Sequence, residues 1–342
     1  MILITGATGL VGSYLLFSLL KQGRKVRALL YNQKSLDRTR VIFKSLGGDP
    51  EVLINQVEWV EGDVLDVTVL HDAMQGIKQV YHCAAIVSFD PGDTELMMKI
   101  NVDGTANVVN AALEAGIDKL CHVSSIASLG RTDDSNIIDE NSEWRSTSYN
   151  SRYSKSKYMA EREVWRASAE GLPVIIVNPA IILGYGHPEK GSSRMFKTIH
   201  KISKFYGRGI NGFVDVRDVV RAMIELMESE IQNERFVVSA GNFSYKEIFS
   251  MIAAGFNKPL PDVEIPDLLL EAVWRFEWLR TRIMKVKPLI TKETAATSKN
   301  NYNYSSAKLI KALEFEYTPI EETINTVCRQ MEPELNGDLK NK

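Results

Sequence analysis

Apolar positions fall into two patterns that take turns along the first half of the chain. Short continuous apolar runs at 1–5, 25–31, 57–61, 79–85, 118–124 and 173–178 read as strands. Between them, near 10–22, 35–46, 66–75, 94–115 and 150–170, apolar residues recur three and four apart, as on a helix with one buried face. Such alternation predicts a parallel sheet with helices on both faces. Val174-Ile175-Ile176-Val177 has no polar alternate, as a strand buried on both sides requires.

After Pro179 the alternation breaks. Glycines and polar residues over 184–193 predict a loop, followed by a helix near 194–206 and glycines at 207, 209 and 212. A short strand and helix over 213–228 and a strand over 235–239 are expected to return to the main sheet. From 244 onward the patterns are mostly helical, punctuated by prolines at 259, 261, 266, 288 and 319.

Composition narrows the class. The 342 residues suit a core domain with a smaller appended lobe. Lys plus Arg is 41 and Asp plus Glu is 43, a net charge of −2, so no nucleic-acid surface is expected. Cys83, Cys121 and Cys328 fit neither a metal spacing nor a disulfide framework, and a reducing, cytoplasmic compartment is expected. A strand that starts at Met1 leaves no room for a cleavable signal ahead of it. No stretch of about 18 uncharged apolar residues predicts a membrane span. The nearest run, 268–284 with Trp274, Phe276, Trp278 and Met284, is interrupted by Glu271, Arg275, Glu277, Arg280 and Arg282. It reads as an amphipathic core or substrate-lid helix.

Two constellations carry chemistry. Gly6-Ala7-Thr8-Gly9-Leu10-Val11-Gly12 follows the first strand and opens a helix. Gly6 permits a tight turn, Gly9 lets backbone approach a pyrophosphate, and Gly12 lets the helix pack close to the strand. The helix N-terminus then offers free N–H groups to phosphate. No Lys-Ser or Lys-Thr follows, which excludes a mononucleotide P-loop. Further on, Tyr153 and Lys157 stand at i and i+4, so on a helix they share a face. A nearby ammonium is expected to favour the phenolate and bring its pKa down from about 10. The pair would then exchange a proton with a carbonyl or hydroxyl oxygen.

The glycine spacing and several later segments together resemble the extended branch of the short-chain dehydrogenase/reductase superfamily, over roughly residues 1–240. These segments are Gly62-Asp63-Val64, His82-Cys83-Ala84-Ala85, Asn101-Val102-Asp103-Gly104-Thr105, Ser124-Ser125 and Tyr153-Ser154-Lys155-Ser156-Lys157. Lys157-x-x-Ala160-Glu161-x-x-x-Trp165 is similar to dihydroflavonol reductase-like members. The resemblance implies a Rossmann-type doubly wound parallel sheet with a smaller, mostly helical C-terminal substrate lobe. It places the dinucleotide domain at 1–180 and 211–240 and the lobe at 181–210 and 241–335. It implies catalysis by Ser125, Tyr153 and Lys157, with Ser124 the alternative hydroxyl. It also implies cofactor contacts from Gly6, Thr8, Gly9, Leu10, Val11, Gly12, Tyr31, Asp63, Val64, Ala84, Ala85, Asn101, Ser124, Tyr153, Lys157, Pro179 and Ile181. Phe89, Ile182 and Phe213 are candidates for the pocket wall. Members often dimerise through two long helices, here near 94–115 and 150–170.

The second strand ends Leu30-Tyr31-Asn32 with no acid to bond an adenosine ribose, which favours NADP over NAD. Lys34 and Arg38 could meet a 2′-phosphate. The favoured reaction is reduction of an aldehyde or ketone, or oxidation of the alcohol, on a small-molecule substrate. The alternatives are a nucleotide-sugar epimerase or dehydratase and a non-catalytic dinucleotide sensor. Arg194, Lys197, Lys201, Lys204 and Arg208 could be offered to a sugar diphosphate, but their spacing fits the wet face of one helix.

Overall fold

The computed structural model describes residues 1–130, 137–146, 150–284 and 298–340. Within these, the side chains at 267, 270, 273, 278–279, 281–284 and 338–340, among them Trp278 and Met284, lie outside the described set. Strands β1 (Ile2–Thr5), β2 (Val26–Leu30), β3 (Glu58–Glu61), β4 (Gln79–His82), β5 (Lys119–Val123) and β6 (Val174–Pro179) alternate with helices. The helices are α1 (Leu10–Lys21), α2 (Ser35–Ser45), α3 (Pro50–Ile54), α4 (Val67–Met74), α5 (Thr94–Met98), α6 (Gly104–Ala115) and α7 (Arg152–Ala169).

Residue alternation along each strand explains the layering. Ile2 and Ile4 pack into one apolar cluster and Leu3 into the other, and Ile175 and Val177 oppose Val174 and Ile176 in the same way. Both faces of the sheet therefore need helices over them. Seven strands form it, in the order β10-β6-β5-β4-β1-β2-β3, with β10 (Glu234–Val238) at one edge. Every pairing in this sheet is parallel. The order reverses between β1 and β4, the point at which open α/β sheets place a ligand crevice beyond the strands' carboxyl ends.

The structure revises four expectations. The strand expected to rejoin the main sheet, β9 (Ile210–Asp215), instead pairs with β7 (Ile181–Leu183) and β11 (Gly241–Ser244). The place beside β6 is already taken by β10. The helix expected over 194–206 stops as α8 (Ser193–Lys201), and β8 (Phe205–Tyr206) pairs with β12 (Val263–Glu264). The helix expected over 94–115 carries a π-helical turn, Lys99–Asp103, between α5 and α6. Finally, α11 (Asp267–Met284) turns Leu268, Leu269 and Phe276 towards solvent, at 84%, 50% and 66% exposure.

Helix α9 (Val216–Glu228) ties the C-terminal segment to the sheet domain. Asp215 caps α9 through the Arg217 amide and accepts the Thr323 hydroxyl at 2.8 Å. Asp218 accepts the Thr318 amide at 2.7 Å and its hydroxyl at 3.0 Å. The C-terminal helix (Ile320–Lys340) then packs against α10 (Tyr245–Gly255) through Ile324, Val327, Cys328 and Met331.

Candidate active site

The glycine turn is a cradle that side chains would fill. Gly6 has φ +69°, and a Cβ there would lie 2.5 Å from the Ala84 amide nitrogen. A Cβ on Gly12 would lie 2.1 Å from the Gly6 carbonyl oxygen. Gly9 is the N-cap of α1, with no side chain capping the helix and no acid in its first turn. Backbone N–H groups beside Leu10 and Val11 are thus open to an anion. Ala84 and Ala85, half-buried and exposed, follow β4 directly across the crevice. These features fit a dinucleotide diphosphate.

Asp63 follows β3, and its carboxylate accepts the Leu65 amide at 3.1 Å. Val64 is buried against Gly104. Tyr31 stands exposed just past β2. Thr8 is half-buried in the glycine turn, Pro179 is buried at the end of β6, and Ile181 opens β7 half-buried. Asn101 lies in the π turn, with its carboxamide fully engaged by protein. It accepts the Ile86 amide at 2.7 Å and donates to the Ile86 carbonyl and the Ser156 hydroxyl, both at 3.0 Å. It therefore clamps the segment after Ala84 and Ala85 to α7. Arg38, expected to be free for a 2′-phosphate, instead pairs with Glu334 of the C-terminal helix at 3.0 Å. It also donates to the Gly186 carbonyl and lies over the Tyr185 ring.

Helix α7 starts at Arg152 because the Ser151 hydroxyl caps the Ser154 amide at 2.9 Å. Tyr153 therefore stands in the first turn, at the helix end next to the strands' carboxyl edge. Its phenol lies beside the Ser125 hydroxyl, and Phe89 meets its ring edge-on at 5.7 Å. Ser125 caps a 3₁₀ turn after β5 by accepting the Ala127 amide at 3.1 Å. One turn along α7, buried Lys157 donates from Nζ to the Val123 carbonyl at 2.9 Å.

This geometry reverses one expectation. Burial pushes the Tyr153 phenol above its usual pKa, and the neighbouring Ser125 hydroxyl only partly opposes the rise. The ammonium does not offset it, since Lys157 is turned to Val123. Burial also lowers Lys157 to about 8, against an opposing pull from Glu161 and Cys83. A neutral phenol beside a hydroxyl is arranged to donate a proton to an oxygen placed between them. Behind Lys157, His82 is bound at both ring nitrogens by the Thr5 hydroxyl at 2.7 Å and the Thr105 hydroxyl at 2.9 Å. Burial takes its pKa to about 3, so the ring is neutral.

Sequence reasoning missed the polar cluster behind Ser125. Ser124 turns its hydroxyl to Glu161 at 2.6 Å and to Ser128 at 3.1 Å. Asn178 on β6 and Arg235 on β10 reach the same carboxylate. The available signal was an acid at position 161 on the apolar face of α7, between Lys157 and Val164.

The fold and the site define a dinucleotide-dependent enzyme class. The chain belongs to the NAD dependent epimerase/dehydratase family, which it matches over residues 2–239. It is 30% identical over 275 residues, 79% of each chain, to sterol demethylase protein B of Methylococcus capsulatus. Over 331 residues, 94% of this chain and 91% of the relative, it is 26% identical to a Synechocystis sp. protein provisionally named a dihydroflavonol 4-reductase. Among solved structures, gox2253 superposes with a TM-score of 0.79 at 29% identity, covering 98% of each chain. The Bacillus cereus UDP-glucuronic acid 4-epimerase in complex with NAD superposes at 0.73 and 18% identity, covering 97% and 96%. No described helix is long and apolar enough to cross a membrane.

Proposed function

We propose that the protein is an NAD(P)-dependent carbonyl reductase, or the corresponding alcohol dehydrogenase, in which Tyr153 is the acid/base. The observation that carries this reading is the Tyr153 phenol, kept protonated by burial beside the Ser125 hydroxyl at the end of β5. Tyr153 donates its proton to the substrate oxygen, and Ser125 orients that oxygen. The dinucleotide, when bound, supplies or accepts the hydride. Gly6, Gly9 and Gly12 would make room for its diphosphate, and Leu10 and Val11 would present amides to it. Lys157 would bond its ribose.

The name of the Synechocystis relative supports the reductase over a sugar-nucleotide reaction. So does Lys197 on α8, which is paired with Glu189; Lys204 and Arg208 lie beyond the end of α8, so the five basic residues do not share one helix face as expected. Phe89, edge-on to the Tyr153 ring, offers an apolar surface beside the site, which favours an apolar or amphipathic aldehyde or ketone. NADP is favoured by the absence of an acid after β2, although Arg38 must first leave Glu334 to meet a 2′-phosphate.

The test is a panel of aldehydes, ketones and UDP- or dTDP-sugars with NADH and NADPH. Net cofactor oxidation with a carbonyl compound supports the proposal. Inversion on a sugar nucleotide without net cofactor change supports the epimerase instead. Cofactor binding without turnover on either set supports the sensor.

A further inference from the structure

The carboxylate of Glu161 is 2% exposed and gathers five hydrogen bonds. Its Oε2 accepts the Ser124 hydroxyl at 2.6 Å, the Ser128 hydroxyl at 2.7 Å and the Asn178 amide at 2.8 Å. Its Oε1 accepts Arg235 at 3.0 Å and the Trp165 indole at 3.3 Å. Three of these donors bracket Ser125. Ser124 precedes it, the Ser128 hydroxyl shares its one proton between Glu161 and the Ser125 carbonyl, each at 2.7 Å, and Asn178 donates to that carbonyl at 3.2 Å. Val123, whose carbonyl holds Lys157, comes just before Ser124. Glu161 itself lies one helical turn beyond Lys157.

We propose that Glu161 is a positioning residue for the acid/base set. Its carboxylate fixes the end of β5, so that Ser125 meets Tyr153 and the Val123 carbonyl meets Lys157, while its charge supports the Lys157 ammonium. This inference rests on the catalytic reading above. The anchor is Arg235, which ties the far side of the carboxylate to β10 and to the Glu140 carbonyl at 2.6 Å. Other groups near Lys157 are His82 at the end of β4, Cys83 just after it and His122 from β5. Glu161 is the carboxylate among them.

Two variants test it on the full chain. The Lys157 ammonium is titrated by NMR on protein with ¹³C-labelled lysine, its signal assigned with Lys157→Met. Glu161→Gln is expected to lower that titration by about one pH unit. On the best carbonyl compound of the panel, it should reduce kcat about 10- to 100-fold with cofactor Kd within about twofold. Ser128→Ala leaves the charge in place and loosens the turn. It should reduce kcat several-fold without moving the titration. An unmoved Lys157 titration in Glu161→Gln, or unchanged kcat in both variants, overturns the proposal. Should Glu161→Gln not fold, unchanged kcat in Ser128→Ala overturns it alone. Tyr153→Phe run alongside separates the two readings. If it keeps turnover, the catalytic reading fails, while the titration still reports whether Glu161 acts on Lys157.

Discussion

The corner around Ser125, Tyr153 and Lys157 and the rim built by the C-terminal third are made differently. In the corner, polar side chains are buried and bonded to one another: Glu161 with five donors, Asn101 across Ile86 and Ser156, and His82 between two threonines. At the rim, α11 turns Leu268, Leu269 and Phe276 to solvent, and its charges pair with near neighbours, as in Arg275–Glu271 and Arg280–Glu277. Buried networks are costly to break because a lost partner leaves a desolvated group behind. Exposed side chains can be exchanged at little cost. The corner is thus held in one geometry, whereas exposed positions of α11 can change at little cost to the fold.

The contrast can be broken most directly at Tyr153. Tyr153→Phe should lower kcat about 100- to 10,000-fold while cofactor Kd, measured by fluorescence titration, stays nearly constant. Near wild-type turnover would remove the corner's claim to the chemistry.

A pH series is the next lever. Lys157, lowered to about 8, carries its charge below that pH and loses it above. Tyr153 is shifted upward and stays protonated through this range. Activity in the reduction direction should therefore fall as pH rises through about 8, approaching tenfold per unit beyond it. A profile flat to pH 10 would mean that the ammonium plays no part.

At the seam between the two regions, Glu334→Gln should release Arg38 and improve NADPH relative to NADH two- to fivefold in kcat/KM, the scale of a partly exposed ion pair. An unchanged ratio would place Arg38 outside the cofactor's reach. The smallest effect belongs to the rim. Phe276→Ser should shift folding stability by no more than about 0.5 kcal/mol in a urea titration. A loss of several kcal/mol would show that α11 is covered in solution.

The sequence by itself determined the alternating strands and helices, the parallel sheet, the glycine cradle and the shared helical face of Tyr153 and Lys157. Each depends on local periodicity or on a backbone demand within a few residues. It did not disclose that β9 leaves the main sheet, because a strand's partner is chosen by which edge is already occupied. Nor did it give the direction of the Tyr153 shift. Proximity in sequence suggested that Lys157 would lower it, whereas burial raises it and Val123 draws the ammonium away. Glu161 and Arg235 are 74 positions apart, and Arg38 and Glu334 are 296 apart. Only the folded chain brings such charges together, and desolvation and hydrogen bonding then decide what each group does.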